Sequence, residues 1–281
     1  MASVPRVVQS VLNDYLISFN KYLPNTIKGV YLHGSISLDA YVNNSSDIDF
    51  IAVTSRRMTS KDAGSLYLVH KELALTYPKP EMDGVYIIQE EIGKLNACDT
   101  NEFQENAYYN NGELKFGEYF NFNPITWYLF KHKGISVMGP DTTSFDVTIS
   151  LHQLSSYVLS NMNSYWTGRT RGMETSFEDV MNYPTEIIDN EIEWSVLGLL
   201  RQYYTLREYG ITSKQEAGQY GLQHLHDEWH LIIREAMNIR EGLKVSLFNS
   251  EEERIKHTLG FAKYLISYCN DMFSPVNFKH T

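Results

Sequence analysis

Between Tyr31 and Val53 the sequence reads YLHGSISLDAYVNNSSDIDFIAV, and few arrangements accommodate it. One apolar run ends at Gly34-Ser35, and the next opens with Asp47 and Asp49 on either side of an isoleucine. Along a strand, residues i and i+2 share a face about 6.5–7 Å apart, so the two aspartates project together while Ile48 and Phe50 point the other way. Carboxylates that close repel one another, and keeping both ionised in a partly dry site favours a bound cation. Mg²⁺ suits such a pair, because it takes oxygen ligands, keeps several waters and is commonly held by one or two carboxylates plus substrate phosphates.

The Gly34-Ser35 pair has a complementary chemistry. A glycine after a strand lets the backbone turn sharply and approach a ligand, presenting amides and a hydroxyl to phosphate oxygens. A third acid, Asp83, opens the run DGVYIIQ. On a neighbouring strand it would complete a metal site or accept a proton from an attacking hydroxyl. An ordinary hairpin with a solvated turn is the plain alternative for the whole stretch. Against it stand the position of the pair after a predicted strand and the third strand that again begins with an acid.

The periodicity around this stretch predicts an α+β chain. Val4, Val7, Val8, Val11, Leu12, Tyr15, Leu16 and Phe19 recur at helical spacing, Lys28–Gly34 and Asp47–Ser55 read as strands, and Leu66, Leu68, Val69 and Leu73 predict a helix stopped by Pro78 and Pro80. Asp83–Gln89 reads as a third strand. The expected N-terminal domain, residues 1–121, is thus a small mixed sheet flanked by helices. From Phe122 the texture changes to successive 3.6-period segments, with Gly210 and Gly242 as helix stops. Residues 122–281 are expected to form an α-helical bundle, and the polar run from Trp166 to Ile187 a loop or interrupted helix.

Composition narrows the partners. The 281 residues are 43% hydrophobic, enough for two cores, and 24 basic against 34 acidic side chains give a formal charge of −10. That balance argues against nucleic acid, which needs a basic surface to displace counterions, and fits a cationic small molecule. Cys98 and Cys269 are the only cysteines; they lack metal-ligand spacing and read as reduced structural thiols. With no apolar run of about 18 residues and no signal-peptide core, the chain is expected to be cytoplasmic and without a membrane partner; a monomer is expected, with a dimer as the alternative.

The stretch LHGSISLDAYVNNSSDIDF resembles the Gly-Ser, Asp-x-Asp signature of the polymerase β-like nucleotidyltransferases. Together with LKFGEYF, YLFKHKGISVMGPD and WSVLGLLRQYYTLREYGITSKQEAGQYGLQHL, the chain resembles the aminoglycoside O-nucleotidyltransferases that adenylylate streptomycin and spectinomycin. The resemblance implies a nucleotidyltransferase domain followed by a helical domain, with ATP as co-substrate, Mg²⁺ in two sites as cofactor, and a cationic aminoglycoside or aminocyclitol as acceptor; the consequence is antibiotic resistance. It implies that Gly34, Ser35 and Ser46 contact the nucleotide phosphates and that Asp47 and Asp49 hold Mg²⁺. Asp83 stands where the family usually carries a glutamate proposed as general base, one methylene longer, so a metal-ligating role competes with that of base. Arg201 matches a family arginine at the nucleotide and Lys214 a lysine that contacts phosphate. Tyr119 and Glu191 fall at an aromatic and an acidic position near the drug. Thr167–Ile187 departs from the family's shorter segment, where streptomycin-specific contacts are expected. A different acceptor, small molecule or protein, and a homologue that binds nucleotide without catalysis are the competing readings. His33 and the tryptophans Trp127, Trp166 and Trp229 read as structural.

Overall fold

The computed structural model describes residues 4–95, 105–243 and 245–273. Its first unit, residues 1–149, runs α1 (Arg6–Tyr22), β1 (Ile27–Leu32), α2 (Gly34–Ser37), β2 (Ile48–Thr54), α3 (Ala63–Thr76), β3 (Met82–Ile88), β4 (Asn106–Asn110), β5 (Glu113–Gly117), α4 (Pro124–Lys133) and β6 (Ile135–Met138). The strands form one sheet in the order β5-β4-β3-β2-β1-β6. Only β2 and β3 run parallel, the crossover between them being made by α3; the other pairs are antiparallel.

Alternation along β2 sets the two cores. Ile48, Phe50 and Ala52 point into a cluster with Val8, Tyr15 and Phe19 of α1 and Leu66, Val69 and Leu73 of α3. Ile51 and Val53 point to the opposite face, where they meet Val85 and Ile87 of β3 and Trp127 and Phe130 of α4. A strand covered on both faces reads as a continuous apolar run, which is why DIDFIAV and DGVYII were legible. Full burial of each such side chain stabilises the unit by about 1.5–3 kcal/mol.

Two expectations need correcting. The sequence division after residue 121 placed α4 and β6 in the helical domain, yet the first unit extends to Ile149. The reason is packing: Trp127 and Phe130 fill the second core, and β6 pairs with β1 along Val30, Tyr31 and Leu32. The sheet also has six strands, where the pattern indicated three. β4 and β5 form a hairpin over Asn111 and Gly112, both with positive φ, 50° and 75°. That is the Asn-Gly two-residue turn whose twist suits antiparallel strands.

The second unit, residues 150–281, contains α5 (Leu151–Asn161), α6 (Thr167–Thr175), α7 (Phe177–Val180), α8 (Thr185–Glu208), α9 (Lys214–His224), α10 (His230–Arg240) and α11 (Glu251–Phe273). Helix α8 is central: its buried side chains include Ile188, Ile192, Val196, Leu199, Tyr203 and Leu206, and it packs on α9, α10 and α11. The buried Arg254 of α11 donates to Glu235 of α10 at 2.7 Å, to Glu251 at 2.7 Å and to Asp189 of α8, so three helices share one guanidinium. Such a group is costly to unpair, because losing one partner leaves a buried charge.

The polar run expected as a loop or interrupted helix is an interrupted helix. A π-helical turn at Met162–Trp166 leads into α6, and α7 is a single short piece. Helix α8 ends on Tyr209 in the left-handed conformation, with φ 52°; Gly210 therefore follows the stop, whereas Gly242, φ +77°, does take the left-handed position after α10. Cys269 is buried and free; Cys98 lies outside the described residues. No helix among the described residues is long and apolar enough to cross a membrane.

Candidate active site

The face of the sheet that carries Ile51 and Val53 continues, toward the start of β2, through Asp49, and Asp47 stands immediately before the strand. On β3 the same face runs from Ile87 and Val85 to Asp83. Parallel pairing sets Asp49 directly beside Asp83, and neighbouring strands lie about 4.8 Å apart. The sequence expectation that a neighbouring strand carries the third acid beside the first two therefore has a register behind it.

The turn that follows β1 meets these acids from the other side. His33 donates its backbone N–H to the Asp49 carbonyl at 3.1 Å, and Gly34 then adopts φ +62°. A Cβ built on Gly34 would overlap the Asp49 carboxylate, whose Cγ is 2.6 Å away. Only a glycine lets the backbone come so near the acid. The hydroxyl of Ser35 is buried and has no hydrogen-bond partner, and the same holds for Nε2 of His33. His33 is thus buried, as expected, but not satisfied. An orphaned buried donor costs free energy, which a further acceptor at the Ser35 hydroxyl would recover. Ser46 is buried and accepts the backbone N–H of Val42 at 3.0 Å, closing the loop that leads to Asp47.

Electrostatics mark Asp83. Burial first, and then the charge of Asp47, pushes its carboxyl up to about 6, against the opposing hydrogen bond from the Asn111 backbone. Its Oδ1 accepts that N–H at 3.2 Å and its Oδ2 accepts from Asn110 Nδ2 at 2.8 Å. Asp47 faces Lys79, whose Nζ lies 4.0 Å from Asp47 Oδ1 and 3.5 Å from Glu81 Oε1. Tyr119 is buried in the second core; burial raises its phenol, and the charges of Asp49 and Asp83 add to that.

Among the described residues, no three His, Cys, Asp or Glu side chains are gathered to hold a metal ion. The set Asp47, Asp49 and Asp83 is therefore not assembled as a three-carboxylate cage. Asp47 and Asp49 carry carboxylate oxygens of the kind that bind an ion whose other ligands are phosphate oxygens and water.

In the second unit Lys214 donates to Glu193 Oε1 at 2.9 Å, and Arg240 donates to the same oxygen at 3.3 Å. Lys214 also lies over the Trp194 ring, 4.9 Å from its centroid. Burial lowers its ammonium, Glu193 opposes that, and Arg240 and Arg201 lower it further. Arg201 donates from Nε to the Thr212 carbonyl at 3.2 Å. Arg201 and Lys214, predicted from sequence, thus share one electrostatic neighbourhood, and Arg240 and Glu193 join them. Neither addition was legible, since Glu193 lies 21 residues from Lys214 and 47 from Arg240.

Glu191 is engaged within its own unit. Arg169 forks onto both of its oxygens, Nε to Oε1 at 2.9 Å and a second bond to Oε2, and Ser195 Oγ donates to Oε1 at 2.8 Å. Trp127 and Trp166 are buried packing residues, and Trp229 stacks on Tyr264 at 4.9 Å.

Comparison with known proteins follows the same division. Residues 169–265 match the family model described as the aminoglycoside adenylyltransferase C-terminal domain. The fold is that of the spectinomycin adenyltransferase AAD(9) from Enterococcus faecialis, solved with ATP and spectinomycin: TM-score 0.64, 18% identity, 92% of this chain and 99% of that one. No curated protein sequence matches the chain significantly. The second unit is thus similar to that C-terminal domain over residues 169–265, and the fold is similar to that of the neighbour over nearly the whole length.

Proposed function

We propose that the protein transfers AMP from MgATP to a hydroxyl of an aminocyclitol or aminoglycoside, spectinomycin being the first candidate, and releases pyrophosphate. The observation that carries this reading is the contact of Asp49 with Gly34, because it joins an acid able to bind a cation to a turn able to bind phosphate. The solved relative with ATP and spectinomycin supports the choice of both substrates.

In this reading the acceptor oxygen forms a bond to the α-phosphorus, the bond from that phosphorus to the α,β-bridging oxygen breaks, and pyrophosphate departs with the electron pair. Asp83 takes the hydroxyl proton. A carboxyl held near 6 is ionised at neutral pH yet basic enough to receive a proton in the transition state. Asn110 and Asn111 fix its orientation. Ser35 and the Gly34 turn hold phosphate, and Lys214 and Arg201 take polyphosphate charge through charge-assisted hydrogen bonds. Mg²⁺, when bound by Asp47 and Asp49, offsets charge on the phosphoryl oxygens.

The test is transfer of label from α-³²P ATP to spectinomycin, to streptomycin and to a cell extract. Label on spectinomycin, lost in both Asp47→Asn and Asp49→Asn with the circular-dichroism spectrum unchanged, is the expected result. Label on a component of the extract alone would move the assignment to another acceptor. Nucleotide binding with no pyrophosphate release under any of these conditions would leave a binding homologue without catalysis.

A further inference from the structure

Resting on the nucleotide reading above, we propose that Glu193 is an internal counter-anion: it positions Lys214 and Arg240 and competes with polyphosphate for them, which sets how readily pyrophosphate leaves. One carboxylate oxygen receives both cations, at 2.9 and 3.3 Å. All three side chains are largely buried, Glu193 at 12% exposure, Lys214 at 18% and Arg240 at 10%. In such surroundings charges interact far more strongly than in water, so the carboxylate is a large part of what a phosphate group would experience.

The geometry separates this role from a merely structural ion pair. Lys214 does not reach outward; it is bonded to Glu193 and laid over the Trp194 ring. Arg201 is close enough to depress the Lys214 ammonium, so it belongs to the same cationic neighbourhood. A polyphosphate bears several anionic oxygens and outcompetes a single carboxylate, whereas Glu193 retakes the cations as the product departs. Binding that is too tight in the ground state does not raise turnover, and an internal anion is a direct way to weaken it. Glu193 touches no reacting atom in this scheme and is a positioning residue.

The experiment uses the full chain and inorganic tripolyphosphate as probe, with MgATP in parallel, titrated by calorimetry into wild type, Glu193→Gln and Glu193→Asp. A charge-assisted bond removed from competition is worth about tenfold or more in affinity. Glu193→Gln is therefore expected to bind tripolyphosphate at least about tenfold tighter, to lower KM for MgATP and kcat together, and to be inhibited more strongly by pyrophosphate. Glu193→Asp, whose carboxylate is drawn back by one methylene, is expected to fall between, and it carries the test alone should the glutamine variant not fold. Equal or weaker tripolyphosphate binding in the folded variants overturns the inference while leaving the nucleotide reading in place. Failure of wild type to bind either tripolyphosphate or MgATP overturns both.

Discussion

Asp49 stands against Gly34 so closely that its carboxylate fills the space a side chain there would need, with Cγ 2.6 Å from the ideal Cβ position. A left-handed φ of +62° at the same residue costs a non-glycine residue about 1–2 kcal/mol. Gly34→Ala adds a steric conflict to that strain, and overpacking adds about 1–3 kcal/mol. The variant is expected to melt several degrees lower and to lose transfer by about a hundredfold or more, because displacement of a positioning group by about 1 Å has that effect. Thermal unfolding and initial rates check both parts; full activity would separate Gly34 from the phosphate role.

Asp83 gives a pH signature with a definite sign. Its folded carboxyl, pushed up to about 6, keeps its proton to higher pH than the unfolded chain, whose aspartates titrate near about 3.9. The contribution of Asp83 to stability is therefore fully present below pH about 4 and is lost as pH rises through about 6. In metal-free protein the difference in melting temperature between Asp83→Asn and wild type should grow in favour of the variant from pH 4 to pH 7. Asp47→Asn should lower the Asp83 titration seen by ¹³C NMR, since the Asp47 charge is the second cause of its displacement. A midpoint unmoved by that substitution would remove the coupling on which the base assignment leans.

What was legible in the sequence was whatever a local pattern encodes. Gly34, Asp47, Asp49 and Asp83 could be placed because β2 and β3 are short apolar runs with acids at their heads, and period 2 then fixes which side chains share a face. The β4–β5 hairpin carried its own signal in Asn111-Gly112, but the polar strands around it, with Lys115 and Glu113 exposed, masked it. Strand β6 was lost for a different reason: it is only four residues long and follows directly on α4, so its pairing with β1 is a tertiary fact. Glu193, Arg240 and the Arg169–Glu191 pair depend on how helices of the second unit meet, and no spacing within one helix announces them.

Lys214 should act on nucleotide affinity alone. Its ammonium is buried beside Glu193, Arg201 and Arg240 and lies on Trp194. Lys214→Ala is expected to raise KM for ATP by about tenfold with the acceptor KM nearly unchanged, measured by varying each substrate at saturation of the other. A parallel rise in both constants would show a general disturbance of the unit and would count against phosphate contact.

If Glu191 receives the proposed acceptor, Arg169 bears on its affinity. Both oxygens of Glu191 are held by its guanidinium, and Ser195 donates to one of them. A cationic acceptor that uses Glu191 must displace a bidentate partner already in place, and fork-shaped pairing of this kind is among the stronger charge-assisted contacts. The pair is only partly buried, with Arg169 at 39% and Glu191 at 21% exposure, so solvent screens it and its worth stays modest, about 0.5–1.5 kcal/mol. Arg169→Met keeps the bulk of the stem and removes the competing charge. It is expected to tighten spectinomycin binding about three- to tenfold in calorimetry at low salt, with the gain shrinking at higher salt, while ATP affinity is unchanged. Glu191→Gln should abolish that gain in the double variant. If Arg169→Met instead weakens spectinomycin, Arg169 holds Glu191 in a binding orientation rather than competing for it, and the acidic subsite is the pair acting together.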